Sequence, residues 1–171
     1  MPTEITSHEK LFILGHSKGG ATSIVKLLDE DRFKAGATLA SVVHIKQRYA
    51  EKEVEHWKQL GVLYVHNGRT DQEMPLYYQL AEDVLDHEDQ FNISKRLEKN
   101  TKPLLMIHGA KDETVSVDEV KSQIGKPHVS THIIPTGDHV LNGGHPYSST
   151  LLTPETKEAC DAIIAFFDKC D

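Results

Sequence analysis

The apolar positions of this chain fall into short continuous runs separated by longer amphipathic stretches. Residues 11–14 are wholly apolar and are closed by Gly15, the pattern of a strand buried on both faces of a parallel sheet. Over 18–29 the period changes, and Ala21, Ile24, Val25 and Leu28 recur at helical spacing to give one apolar face. Residues 37–43, 103–107 and 129–134 are further β-rich runs, each followed by loop or helical material. A last helix is predicted from Thr153, an N-cap residue with Pro154 at the first helical position, and its spacing buries Ala159, Ile163, Ile164 and Phe167. Strand and helix alternating in this way predict βαβ units. The expected class is α/β, a mainly parallel sheet with helices on both faces.

One stretch interrupts the alternation. Residues 46–101 are too many for a simple helical crossover, and they read as a lid-like helical insertion within a single domain of 171 residues. Its expected helices are 48–60, 76–86 and 88–99, separated by a glycine-containing stretch around Asn67 and Gly68. The charge runs EKEVEH and EDVLDHED read as solvated faces.

Composition narrows the function classes. With 38% hydrophobic and 26% charged residues, the chain is neither disordered nor membranous in character. No apolar run reaches the roughly 18 residues of a spanning helix, and the opening MPTEITSHEK lacks the basic and apolar regions of a signal peptide. A soluble, cytoplasmic protein is therefore expected, with no membrane partner. A formal charge of −7, with Lys and Arg scattered among acids, argues against nucleic acid as a partner. The two cysteines, Cys160 and Cys170, lie in or beside the last helix on different faces, so no disulfide is expected between them.

The chemistry concentrates at three loops. Gly15, His16, Ser17, Lys18 and Gly19 form G-x-S-x-G between a predicted strand and a predicted helix, the context of a nucleophile elbow. The serine of such an elbow takes strained backbone angles, and Gly15 and Gly19 let the turn pass close to its neighbours without a Cβ. The N–H of Lys18, at the helix start, is a candidate oxyanion donor, and His16 a candidate lining residue of the substrate pocket. Serine is a weak nucleophile without a base, so a histidine and an orienting carboxylate are required elsewhere. After the run 103–107 come His108 to Val115, which put Asp112 in the loop at that strand's C-terminal end. After 129–134 come Pro135 to His139, which put His139 in the corresponding loop, where α/β sheets gather their reacting groups.

Each assignment has rivals. His145, beside Gly143 and Gly144, competes with His139, while Glu113 and Asp138 compete with Asp112 and can instead hydrogen-bond their own loops. His16, His44 and His108 also sit near predicted strand ends, but no set of histidines has a recognised ligand spacing. No phosphate-binding or dinucleotide fingerprint occurs. Neither a metal nor a cofactor is expected.

The segments LFILGHSKGGATSIVKLL, KPLLMIHGAKDETVSVDE and IIPTGDHVLNGGHPY together resemble the α/β-hydrolase superfamily, in particular enzymes similar to dienelactone hydrolases and small serine esterases. The motifs arrive in the family's order, nucleophile, acid, histidine, and span most of the chain. The resemblance implies Ser17 as nucleophile, Asp112 as triad acid and His139 as general base. It also implies that Ser17 and Lys18 lie on the turn after the family's fifth strand. Here the chain departs from the pattern, because only sixteen residues precede Ser17. The family's first four strands, and the loop that supplies a second oxyanion N–H, are not in this sequence. Three explanations follow: a fragment of a longer protein, a chain that pairs with a second copy along the open sheet edge, or a shortened member.

The expectation is a serine hydrolase that cleaves a carboxylic ester or related acyl substrate through an acyl-enzyme. The alternatives are a serine peptidase using the same triad, and a catalytically impaired or non-catalytic protein that uses the scaffold for binding or association.

Overall fold

Four of the apolar runs line up as one sheet in the computed structural model, which describes residues 11–46, 51–68, 70–144 and 146–170. Strands β1 (Leu11–His16), β2 (Phe33–Leu39), β5 (Leu104–Gly109) and β6 (Val129–Ile134) are all parallel and lie side by side in that order. β5 is buried along its whole length, as its unbroken apolar run requires of a strand covered on both faces. The remaining two strands, β3 (Val62–Asn67) and β4 (Gln72–Tyr77), form a separate antiparallel pair.

Helices cover both faces of the parallel sheet. Helix α7 (Pro154–Cys170) lays Ala159 and Ile163 on Ala37, Leu105, Ile107 and Ile134, and the ring of Phe167 stacks on Phe12 at 4.6 Å. Strand alternation sends Gly36, Thr38, Leu104, Met106 and His108 to the opposite face. There helix α1 (Lys18–Asp29) packs its buried Ala21, Ile24, Val25 and Leu27. A Cβ on Gly36 would stand 2.9 Å from the Leu27 side chain, so the glycine sets how closely α1 approaches the sheet. Thr153 caps α7 as expected, its hydroxyl accepting the Thr156 N–H at 3.0 Å. Ile164, expected inside, is 59% exposed, because the stripe of α7 that faces the sheet is centred on Ala159 and Ile163. Cys160 and Cys170 are free thiols on this helix.

The second strand lies earlier than its sequence suggests. Residues 37–43 read as a strand because Val42 and Val43 are apolar and β-branched, yet the ladder ends at Leu39. Ala40 turns the chain with φ 48°, and Ser41, Val42 and Val43 are buried as loop.

The described residues within 11–43 and 93–170 form one compact unit and those within 44–92 another. The second unit holds the β3–β4 hairpin together with α2 (Glu51–Leu60), α3 (Gln79–Asp86) and α4 (Glu88–Phe91). Its anchor is Trp57, 5% exposed, whose indole N–H donates to the Leu76 carbonyl at 2.9 Å while its ring meets Tyr78 edge-on. The hairpin replaces the structureless stretch expected between two helices, and Leu76 and Tyr77, expected in a helix, are the end of β4. Pro75 hides that strand in the sequence; a two-stranded ribbon tolerates it, because no interior ladder N–H is lost. The helix expected over 88–99 is broken at Asn92, whose backbone bridges to His44. Its second half, α5 (Ile93–Leu97), belongs to the sheet-bearing unit, where Arg96 pairs with Asp29 of α1. Residues 48–50, assigned to the first helix of the insertion, lie outside the described residues. Among the described residues, no helix is long and apolar enough to cross a membrane.

Candidate active site

Ser17 joins β1 to α1 with φ 55° and ψ −124°, a conformation that side-chain-bearing residues rarely adopt. Its backbone is fixed from both directions. The Ser17 N–H donates to the Leu39 carbonyl at 2.9 Å, extending the β1–β2 ladder, and its carbonyl accepts the N–H groups of Gly20 and Ala21, opening the helix. A serine at this N-cap position ordinarily turns its hydroxyl back onto the helix. Here the Ser17 side chain makes no such bond, so its Oγ is left for other chemistry. The first N–H groups of a helix have no partners within it. Lys18, the first residue of α1, therefore presents its N–H beside Ser17.

Two glycines make the tight turn, and they are Gly15 and Gly20. A Cβ on Gly15 would lie 2.2 Å from the Gly19 carbonyl oxygen and 2.3 Å from Ser23 Oγ, and one on Gly20 would lie 2.7 Å from Ser41 Cβ. Gly19, expected to be sterically required, has nothing within 4 Å of its Cβ position. The last glycine of G-x-S-x-G thus faces open space, and its neighbour in sequence carries the constraint.

In a parallel sheet every strand delivers its C-terminal end to the same edge, so the loops after β1, β5 and β6 gather there. The latter two are clamped together: a Cβ on Gly109 would stand 2.2 Å from the Gly137 carbonyl oxygen, and the Lys111 N–H donates to that same oxygen at 2.9 Å. Across this contact His139 Nδ1 lies 2.8 Å from Asp112 Oδ2. Nδ1 therefore carries the hydrogen, leaving Nε2 as the ring nitrogen not engaged by the carboxylate. His16 reaches the same loop, with Nε2 2.8 Å from the His139 carbonyl oxygen and the two rings 4.8 Å apart.

The Asp112 side chain is fully buried. Burial alone would raise its pKa, but bonds from the Val115 N–H, the His139 ring and the Thr114 N–H outweigh it and hold the carboxyl's pKa below its ordinary value. Oδ1 accepts Val115 N–H at 2.8 Å and Thr114 N–H at 2.9 Å. An ionised carboxylate is therefore the resting form.

The rivals sort themselves by geometry. Asp138 accepts the N–H groups of Val140 and Asn142 through Oδ1, so it organises its own loop. Glu113 is exposed. His145 lies outside the described residues. Among the described residues, no group of three or more His, Cys, Asp or Glu is arranged to hold a metal ion. Sequence reasoning missed the role of Gly20, the reach of His16 to His139, and a second histidine on the acid: His108 Nε2 lies 3.2 Å from Asp112 Oδ2. The last was signalled by a histidine in an otherwise apolar, wholly buried strand, where a polar side chain needs a partner.

Residues 2–149 match the sequence model of the prolyl oligopeptidase family. No curated protein matches the chain. Among solved structures, the fold is similar to a Paleococcus ferrophilus monoacylglycerol lipase, with a TM-score of 0.68 and 16% identity over 95% of this chain and 70% of the lipase. It is also similar to a Pyrococcus furiosus esterase, with a TM-score of 0.55 and 15% identity over 94% of this chain and 54% of the esterase. A third likeness is to the Pyrococcus horikoshii acylaminoacyl peptidase, with a TM-score of 0.58 and 21% identity over 94% of this chain and 24% of the peptidase. The chain thus spans about half the length of that esterase and about a quarter of the peptidase.

Proposed function

Since this chain belongs to the prolyl oligopeptidase family within the α/β-hydrolase superfamily, we propose that it is a serine hydrolase acting on a carboxylic ester or related acyl compound. Ser17 Oγ attacks the acyl carbonyl while His139 Nε2 takes its proton. Asp112 keeps the hydrogen on Nδ1 and offsets the charge that develops on the imidazole. The oxyanion of the tetrahedral intermediate receives the Lys18 N–H. His139 then gives its proton to the leaving oxygen, the acyl-enzyme forms on Ser17, and a water activated by the same imidazole releases the acid. His16 lines the pocket beside the nucleophile.

The observation that carries this reading is the 2.8 Å bond between Asp112 and His139, made by residues 27 apart in sequence at the sheet edge that also holds the strained serine. A second reading, a serine peptidase, is favoured by the family match itself, and the same triad serves either leaving group.

Treatment of the full chain and of Ser17→Ala with a fluorophosphonate tests the chemistry. A covalent adduct on Ser17, lost in the variant, is the expected result. Short-chain p-nitrophenyl esters run beside aminoacyl and peptidyl p-nitroanilides separate esterase from peptidase. An unlabelled Ser17 in the wild-type chain would replace both readings with a non-catalytic binding protein.

A further inference from the structure

The proposed mechanism leaves one buried ionisable side chain unused. His108 stands in β5 at 1% exposure, on the face opposite α7. Its Nε2 faces two oxygens, the Val115 carbonyl at 2.8 Å and Asp112 Oδ2 at 3.2 Å. A carbonyl only accepts, so the ring hydrogen sits on Nε2 and is donated to Val115, with the carboxylate oxygen close beside it. Nδ1 is buried and has no hydrogen-bond partner among the described residues. A hydrogen there would have nothing to bond, whereas a bare lone pair leaves only one acceptor unmet. Both nitrogens therefore select the same neutral tautomer.

We infer that His108 is a positioning residue for the triad acid, its Nε2–H holding the Val115 carbonyl so that the Val115 N–H keeps Asp112 in the orientation that receives His139. The inference rests on the reading of Asp112 and His139 as the acid and base of the reaction. The carboxylate accepts three hydrogen bonds, Thr114 and Val115 N–H at Oδ1 and the His139 ring at Oδ2, and His108 Nε2 stands 3.2 Å from Oδ2. Two of the three donors belong to Asp112's own loop and the third is His139. His108 alone comes from a central strand. Through the Val115 carbonyl it ties the loop to the sheet, which keeps the Val115 N–H on Oδ1 and restrains the carboxylate from the rotation that would release Nδ1 of His139.

Two measurements on the full chain test it. In wild-type protein with ¹⁵N-labelled histidine, the ring resonances of His108, assigned by their loss in His108→Gln, should be those of the Nε2–H tautomer at neutral pH; an Nδ1–H tautomer overturns the inference. In kinetics, His108→Met and His108→Gln have nearly equal size and differ in a donor near the position of Nε2. His108→Met should lower kcat for p-nitrophenyl acetate about tenfold, as misplacement of the acid's loop does, with KM within about twofold. His108→Gln should recover most of the rate. Equal kcat in two folded variants overturns the inference. Should wild-type Ser17 take no fluorophosphonate, the proposed function fails, and the tautomer still decides whether His108 donates to Val115; the tautomer likewise decides if neither variant folds.

Discussion

The ring of His16 reaches the main chain of His139, with Nε2 2.8 Å from the carbonyl oxygen. A carbonyl only accepts, so Nε2 carries the hydrogen. The residue before Ser17 is thereby bonded to the backbone of His139, a second link beside the Asp112 bond to its ring. Because His16 is exposed, the bond is of ordinary strength. His16→Ala should lower kcat/KM for a short-chain p-nitrophenyl ester roughly three- to tenfold, as loss of about 1 kcal/mol of positioning does. Unchanged kcat/KM would assign the contact no part in the reaction.

The approach of Gly109 to Gly137 makes a sharper prediction, because two backbones meet where a Cβ would overlap by more than an ångström. Gly109→Ala must push the Asp112 loop and the His139 loop apart, which lengthens the Asp112–His139 bond without touching either residue. Destabilisation of about 1–3 kcal/mol in urea unfolding is expected. The fluorophosphonate labelling rate of the folded fraction should fall by at least about tenfold. Labelling at the wild-type rate would mean that the loops can separate without harm.

The environment of Asp112 sets a pH dependence. Its carboxyl is held below the ordinary value of 3.8, the donors of Val115, His139 and Thr114 prevailing over burial. A depressed carboxylate contributes stability that is fully present above the unfolded value and is lost as pH falls through the folded one. The gap in melting temperature between wild type and Asp112→Asn should therefore be constant near neutrality and close below pH 3.8. A gap that persists into stronger acid would show that Asp112 stabilises by shape rather than charge. Activity at neutral pH should fall on the order of 10³–10⁴-fold in this variant, since an amide facing Nδ1 favours the wrong imidazole tautomer.

How much of this was legible beforehand depends on the range of the interactions concerned. The elbow, α1 and β6 were readable because each follows from a local pattern, an apolar run or a helical period, with a glycine or a cap at its end. Asp112 and His139 were readable from position alone, each just beyond a strand of a parallel sheet. β2 was misplaced because Val42 and Val43 look like strand residues, while Phe33 to Gly36 look like none and are recruited by pairing with β1 and the packing of Leu27. Hidden too was what no apolar run or helical period announces: the β3–β4 hairpin around Pro75, the Gly109–Gly137 clamp and the nearness of His108 to Asp112. Likewise, G-x-S-x-G names Gly19, but the steric need falls on Gly15 and Gly20.

That last distinction can be measured. Gly15→Ala and Gly20→Ala place a methyl 2.2 Å from the Gly19 carbonyl oxygen and 2.7 Å from Ser41 Cβ, whereas Gly19→Ala meets nothing within 4 Å. The first two should lose about 1–3 kcal/mol in urea unfolding. Gly19→Ala should be neutral or gain up to about 1 kcal/mol, because alanine is the better helix former within α1. Equal losses at all three positions would show that the tightness of the turn lies in backbone conformation and not in these contacts.

Ser17 itself stores strain that substitution can release. At φ 55° and ψ −124° an alanine suffers the same conflict between Cβ and backbone as the serine, while a glycine suffers none. Ser17→Ala and Ser17→Gly both remove the hydroxyl, so neither should take a fluorophosphonate label, yet their stabilities should differ. Ser17→Gly should exceed Ser17→Ala by about 1 kcal/mol in urea unfolding, the relief of strain outweighing the greater freedom of glycine in the unfolded chain. Wild type should track the alanine variant, because the hydroxyl makes no helix-capping bond whose loss would separate them. If alanine proved as stable as glycine, the turn would be relaxed in solution, and the exposure of the Ser17 hydroxyl would need another cause than a backbone held open by the ladder to Leu39 on one side and the start of α1 on the other.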